Sequence, residues 1–317
     1  MSLRNLGKSR LKLSPIGLGT WQFSQAQGFH KYFWSNLTQQ TMDDIVKKSF
    51  ENGVNWFDTA EIYGSGRSER ALSLALQHGQ INSNVVIATK WNPVLRRAKT
   101  IPKTFPTRVD NLKPYPIDLL QIHNPYSISS IKSQLTEMHK LFTEGKIKAI
   151  GVSNFSTSKM VKSYEILENL GSSLSSNQVK YSIFDRSIEL QGLVDKAKEL
   201  GITIIAYSPL EQGLATGSFH KDKQKINSLP FIRKMRIKRK FKKTKQAISE
   251  IEQIANIHNC SIAQISLNWL ISFHVESVIA IPGASSAHQA ISNAKAMEVT
   301  LSRDEINSID VLTQSFL

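Results

Sequence analysis

Apolar residues fall along this chain in two rhythms, a helical spacing over longer stretches and almost unbroken runs over short ones, and the two alternate. Met42, Ile45, Ser49 and Phe50 share one side of a helix, Gly53 follows as its stop, and VNWFD comes next. The same unit recurs with Ile131, Leu135, Met138 and Phe142, then Gly145 and IKAIGVSN. It recurs again with Leu193, Val194, Ala197 and Leu200, then Gly201 and ITIIAYSP. Gly171 ends a similar helix built on Met160, Val161, Tyr164 and Leu167. Repeated helix-then-strand units predict parallel strands buried on both faces, because each crossover lays its helix over the sheet.

Eight strand segments are predicted: 16–20, 54–58, 85–90, 117–123, 147–153, 177–182, 202–208 and 278–283. Eight parallel strands alternating with helices imply an α/β fold of the (β/α)8 TIM barrel type, a single domain over 1–317, whose chemistry lies at the strands' C-terminal ends. A doubly wound open sheet would carry G-x-G-x-x-G in its first turn. Gly17-Leu18-Gly19 lacks the third glycine, and Gly64-Ser65-Gly66-Arg67-Ser68 lacks the lysine of a phosphate-binding loop. The one long irregular stretch, about 211–245, reads as a functional loop or a mobile arm. Ser302 with Glu305 reads as a capping box that opens a last helix.

With 40% hydrophobic and 21% charged residues over 317 positions, the chain has ample core material and is not a disordered, collagenous or coiled-coil sequence. The longest stretch free of Asp, Glu, Lys and Arg, Gln253 to Val275, is broken by Asn256, His258, Asn259, Gln264 and Asn268, so no membrane span is expected. MSLRNLGKSRLKLS lacks the apolar block of a secretory signal. The single cysteine, Cys260, leaves no internal disulfide framework or multi-Cys metal site, so a cytoplasmic setting is expected. The net charge of +15 is uneven: positions 233 to 245, RKMRIKRKFKKTK, hold nine basic residues and no acidic ones, leaving +6 elsewhere. Met235, Ile237 and Phe241 are interleaved there, as on a helix with an apolar stripe. No RNA-binding motif accompanies the run, and nucleic acid is not the expected partner.

At the predicted strand exits stand Asp58 and then Tyr63, Lys90, and His123. A phenol with an ordinary pKa of about 10 donates a proton poorly at neutral pH, and a neighbouring ammonium, Lys90, is expected to lower it. Asp58 would hold that lysine charged, and His123 would hydrogen-bond the oxygen being reduced. No acyl-transfer triad or metal-ligand cluster competes, and no metal is expected. An acid poised for a developing alkoxide points to carbonyl reduction, which needs a hydride donor.

The stretches GLGTW, FDTAEIYGSGRSE, ATK, IDLLQIHNP, IKAIGVSNF, NQVKYS, AYSPLEQGLATG, AIPGASS and QAISNAKA, in that order over about 11–312, resemble the aldo-keto reductase superfamily. The segments HKYFWSNLTQQT and SLNWL are similar to its bacterial and plant branch, which reduces assorted aldehydes, pyridoxal-like and methylglyoxal-like compounds among them. The resemblance implies a catalytic tetrad of Asp58, Tyr63, Lys90 and His123, with Tyr63 as general acid and hydride passing from nicotinamide to a carbonyl. It also implies cofactor contacts. Gly19, Thr20, Trp21 and Asp58 would line the nicotinamide end, Ser153, Asn154 and Gln178 would hold its carboxamide, and Tyr207 would stack on its ring. Ser208, Pro209, Leu210 and Gly213 would wrap the pyrophosphate. Gln289 and Asn293 would meet the adenosine, and Ile281, Gly283 and Ser285 are further implied cofactor contacts.

Three departures bear on the cofactor. Ser285 and Ser286 stand where many relatives place an arginine or lysine for the 2′-phosphate, Ser292 where a glutamate is common, and Ser218 where a lysine often stands. Serine hydroxyls bond a phosphate without supplying charge, so NADPH is expected on family grounds with NADH as the alternative, and the basic run as another source of charge. Trp21, Phe23, Phe33, Trp34 and Trp91, with polar points at Asn92 and Asn124, suggest an aromatic-lined mouth for a small carbonyl substrate; Trp21, Trp34, Trp91 and Asn124 are the candidate pocket. Two other readings stand beside the reductase: a nicotinamide-binding regulatory subunit similar to the potassium-channel β subunits of this superfamily, and a polyanion-binding protein using the 233–245 run.

Overall fold

The computed structural model describes residues 2–24, 36–81, 85–275 and 277–317. A short antiparallel hairpin, β1 (Arg4–Asn5) with β2 (Lys12–Leu13), comes first. Strand β3 (Leu18–Gly19) follows, then a 3₁₀ turn (Trp21–Ser24), helix α1 (Gln39–Glu51), β4 (Trp56–Asp58) and α2 (Arg67–His78). Next come β5 (Val86–Trp91), α3 (Thr100–Leu112), β6 (Leu119–Ile122), α4 (Ile131–Thr143), β7 (Ala149–Ser153), α5 (Thr157–Asn169) and β8 (Leu174–Lys180). After α6 (Ser187–Leu190), α7 (Leu193–Leu200) and β9 (Thr203–Tyr207), a 3₁₀ segment (Glu211–Thr216) leads to α8 (Ser218–Lys221), α9 (Gln224–Asn227) and α10 (Phe231–Ile257). The chain closes with α11 (Ile262–Phe273), β10 (Val278–Ile281), α12 (Ala287–Lys295), α13 (Arg303–Thr313) and a 3₁₀ turn (Gln314–Phe316).

Strands β3 to β10 pair in chain order, each parallel to the next. Parallel bridges from Ile16 to Ala280 and from Gly19 to Gly283 bring the first strand back to the last, which makes the sheet a (β/α)8 barrel and a single domain. All eight predicted strands are present. Glycine at 201 caps α7 at φ 67°, where a side chain would strain the backbone, as the helix-stop reading requires. The capping box of Ser302 and Glu305 is formed at the start of α13.

Parity along the strands divides the core in two, because successive side chains point to opposite faces. Trp56, Ala88, Leu119, Ala149, Ile205, Ile279 and Ile281 fill the barrel lumen together with Leu6, Leu11 and Leu13 of the hairpin, which plugs the N-terminal end. The Trp56 indole donates to Ser14 O at 2.9 Å and ties the plug to the wall. The larger core lies between strands and helices and includes Ile87, Leu120, Ile150 and Ile204.

Three expectations are corrected here. Phe50, assigned to the buried stripe of its helix, is 37% exposed, and Val46 is buried instead, since 42, 45, 46 and 49 trace the inner face of α1. The stretch 211–245 is not irregular: it holds a 3₁₀ segment, two short helices and the first half of α10, so the whole basic run is helical. Trp91 does not reach the mouth. It follows Lys90, so it points outward, fully buried among the helices, with its indole donating to Thr100 Oγ1 at 3.2 Å.

Candidate active site

The lumen-facing positions at the ends of β4 and β5 carry Asp58 and Lys90, both buried. The Lys90 ammonium contacts Asp58 Oδ2 and donates to Thr59 O at 2.8 Å. The other carboxylate oxygen, Asp58 Oδ1, accepts from Gln178 Nε2 at 2.8 Å and from Gln121 Nε2 at 3.1 Å. Both charges are therefore compensated by partners and hydrogen bonds, the condition under which an ion pair survives burial. Burial alone pushes the Lys90 ammonium's pKa down, and the Asp58 charge opposes that shift.

Tyr63 stands over this pair on the loop between β4 and α2. The Lys90 ammonium lies 5.1 Å from its ring centroid, and the His123 ring meets it edge-on at 5.6 Å. Trp21 lies beside it at 6.5 Å. The loop turns at Gly64, whose φ is 61° and where a Cβ would fall 2.4 Å from Ser24 O, so only glycine lets the loop lie this close to the mouth. Asp58, Tyr63, Lys90 and His123 are thus brought together. The expectation that the ammonium makes Tyr63 more acidic is reversed: burial pushes the phenol's pKa up and the Asp58 charge adds to the rise, because Asp58 already balances Lys90. Burial, reinforced by Lys90, depresses His123 to about 3, so its imidazole is neutral at physiological pH. Its Nδ1 is buried without a hydrogen-bond partner among the described residues.

The neighbouring rim is tied together by side-chain amides. Ser153 Oγ donates to Gln178 O at 2.9 Å, and Asn154, at φ 61°, donates to His123 O and to Ser153 Oγ. The Tyr207 hydroxyl donates to Asn154 Oδ1 at 3.0 Å, which links β9 to β7. After β9, Pro209 is buried and Leu210 half-buried, while Ser208, Glu211, Gln212 and Gly213 all take positive φ. Gln212 Oε1 is buried and lacks a hydrogen-bond partner among the described residues. Beyond β10, Ile281 is buried, Asn293 donates to Gly283 O at 3.2 Å, and Ser285 Oγ donates to Gln289 Oε1 at 3.0 Å at the start of α12. Gly19 and Gly283 pair across the barrel seam.

Other predicted residues lie elsewhere in the arrangement. Thr20 is fully buried, its hydroxyl donating to Asp58 O at 2.9 Å beside Ser68, so it braces β4 from behind. Asn124 Oδ1 accepts from Tyr126 N at 3.0 Å and shapes the turn after β6. Trp34 and Phe33 lie outside the described residues. Two polar residues were missed. Gln121 is legible from parity, two positions before His123 on the same face. Thr59 acts through its carbonyl, which no side-chain pattern reveals. Among the described residues no group of three or more metal-ligating side chains exists, and no helix is long and apolar enough to cross a membrane.

The family model of the aldo/keto reductases matches residues 15–314. An uncharacterised oxidoreductase of Mycobacterium tuberculosis is 33% identical over 96% of this chain and 91% of its own length. The chloroplastic pyridoxal reductase of Arabidopsis thaliana is 28% identical over 93% of this chain and 82% of its own. In shape, the chain is similar to an aldo-keto reductase of Klebsiella pneumoniae solved with NADPH, with a TM-score of 0.75 at 23% identity, covering 99% of this chain and 95% of that one.

Proposed function

Because the chain belongs to the aldo/keto reductase family of oxidoreductases, we propose that it reduces aldehydes and ketones to alcohols with NADPH, Tyr63 acting as general acid. The observation that carries this reading is the meeting of Tyr63, Lys90, Asp58 and His123 at one barrel mouth, from three separate segments of the chain. The surrounding residues fit a nicotinamide dinucleotide. The rim offers amide groups at 154 and 178, a tyrosine face at 207, and a loop whose Gln212 oxygen is buried with an unused acceptor. When bound, the nicotinamide supplies the hydride. The Klebsiella relative holds NADPH; here the serines at 285 and 286 leave NADH as the alternative.

The protein's own part is proton delivery and orientation. His123, neutral, offers one N–H donor to the carbonyl oxygen and fixes it beside the phenol. As charge builds on that oxygen it becomes an alkoxide, a stronger base than a phenolate, so Tyr63 gives up its proton even from a raised pKa. Lys90 then lies beside the phenolate left behind, and Asp58, held by two glutamine amides, keeps the ammonium in place. The similarity to the Arabidopsis pyridoxal reductase supports aromatic aldehydes as the first substrates to assay.

Turnover of a panel of aldehydes with NADPH tests the reading. Tyr63→Phe is expected to lower kcat by about 10²- to 10⁴-fold, the usual worth of a positioned acid, while NADPH affinity stays unchanged. An unaltered rate in Tyr63→Phe would remove the acid role. NADPH binding without turnover of any carbonyl would favour the regulatory-subunit reading.

A further inference from the structure

Two residues before Tyr63 stands a carboxylate that the reaction does not use. Glu61 Oε1 accepts from the backbone N–H of Asn92 at 2.5 Å and from Arg96 Nη1 at 2.5 Å, and Glu61 Oε2 pairs with Arg108 Nη1. Its own backbone N–H donates to Lys90 O at 3.3 Å. The segment that carries Tyr63 is therefore fastened, by main chain and side chain together, to the strand end that carries Lys90. Beyond the tyrosine, Gly64 abuts Ser24 O and limits the loop on its other side.

Arg108 reaches this point from α3 with its side chain almost wholly buried, and its Nε has no hydrogen-bond partner among the described residues. A cavity of about 440 Å³ lies against the same loop, lined in part by Glu61, Ile62, Ser65 and Arg108. Beside this cavity the loop is held by the ion pair together with its main-chain bonds. Arg96, a quarter exposed, adds a second cation at the outer edge.

On the reading of Tyr63 as the acid, we infer that Glu61, gripped by Arg108 and Arg96, is a positioning residue that sets the distance between the tyrosine and Lys90. A displacement of about 1 Å far from the reacting atoms is enough to cost on the order of 100-fold in rate, and Glu61 is one short turn away.

The test is a double-mutant cycle. Glu61→Gln alone would strand the buried Arg108 charge and threaten folding, so the variant is Glu61→Gln with Arg108→Met, which removes both charges, and its thermal melt is recorded beside it. Arg96→Met, at the solvent end, is the milder second variant. The pair substitution is expected to lower kcat by about 10- to 100-fold, with NADPH affinity by fluorescence titration within about twofold of wild type; Arg96→Met gives a smaller loss. In a Tyr63→Phe background the same substitutions are expected to change the residual rate by less than about twofold, because the group they position is gone. Three results overturn the inference: a kcat near wild type in the pair variant, an equal loss with and without the tyrosine hydroxyl, or a loss matched by weaker NADPH binding. A Tyr63→Phe enzyme that keeps the full rate overturns the acid assignment itself, and this inference with it.

Discussion

His123 carries a pH signature that separates catalysis from stability. Its imidazole is held at about 3 against an ordinary 6.5, first by burial and then by the Lys90 charge. Between those values the unfolded chain binds a proton that the folded chain refuses, so this residue's contribution to stability is complete above pH 6.5 and drains away as the pH falls toward 3. His123→Gln is expected to flatten that slope: the gap in urea-unfolding free energy between about pH 7 and about pH 4.5 narrows relative to wild type. Equal gaps in the two proteins would show that the imidazole is not held neutral. The kcat/KM profile for reduction should have no histidine limb near pH 6.5, and Tyr63 should add none at its ordinary pKa of 10, since burial raises it above that value.

At the scale of elements, α10 matters most. Lys240, in its first half, donates to Phe184 O at 2.7 Å and lies within 3.5 Å of Asp185 and Glu211, while Arg233 donates to Gln212 O at 2.8 Å. The helix thus grips the loop after β9 at two points. Lys240→Met is expected to speed amide hydrogen exchange in 211–216 by roughly tenfold, the equivalent of about 1.4 kcal/mol, without altering exchange in the barrel strands; unchanged loop exchange would deny the tether. Met235, Ile237 and Phe241 mark a helix within the basic run, and Pro230 just before Phe231 is a start signal, but that thin stripe does not reveal the helix's full length to Ile257. The eight strands, by contrast, are legible because burial on both faces leaves continuous apolar runs, several introduced by the glycine that stops the preceding helix. The hairpin at 4–13 escapes notice, since two-residue strands carry no period. The tetrad was legible because each member stands at a strand exit or in the turn just beyond one. Trp91 was misplaced for want of counting parity from Lys90, and the pairing of Glu61 with Arg108 joins residues 47 positions apart that no local pattern connects.

Over the whole molecule, the excess of +15 is concentrated where α10 leaves the loop after β9. Lys238, Arg239, Lys242 and Lys245 are exposed on that helix. At about 1.5 Å of rise per residue, Lys238 and Arg239 lie about 8–9 Å along the axis from Arg233, which touches the loop, and Lys245 lies about 18 Å away. Physiological salt screens charges beyond about 8 Å, so the nearer two should draw in an anionic dinucleotide and the farther two should not. NADPH, with its extra phosphate, should feel that field more than NADH. Stopped-flow association should therefore slow with added salt more steeply for NADPH than for NADH. Lys238→Gln with Arg239→Gln should shrink the difference, and Lys242→Gln with Lys245→Gln should leave it. Equal salt slopes for the two cofactors in wild type would mean that the basic helix serves some other anion, and salt-sensitive RNA binding lost on neutralising the run would identify it.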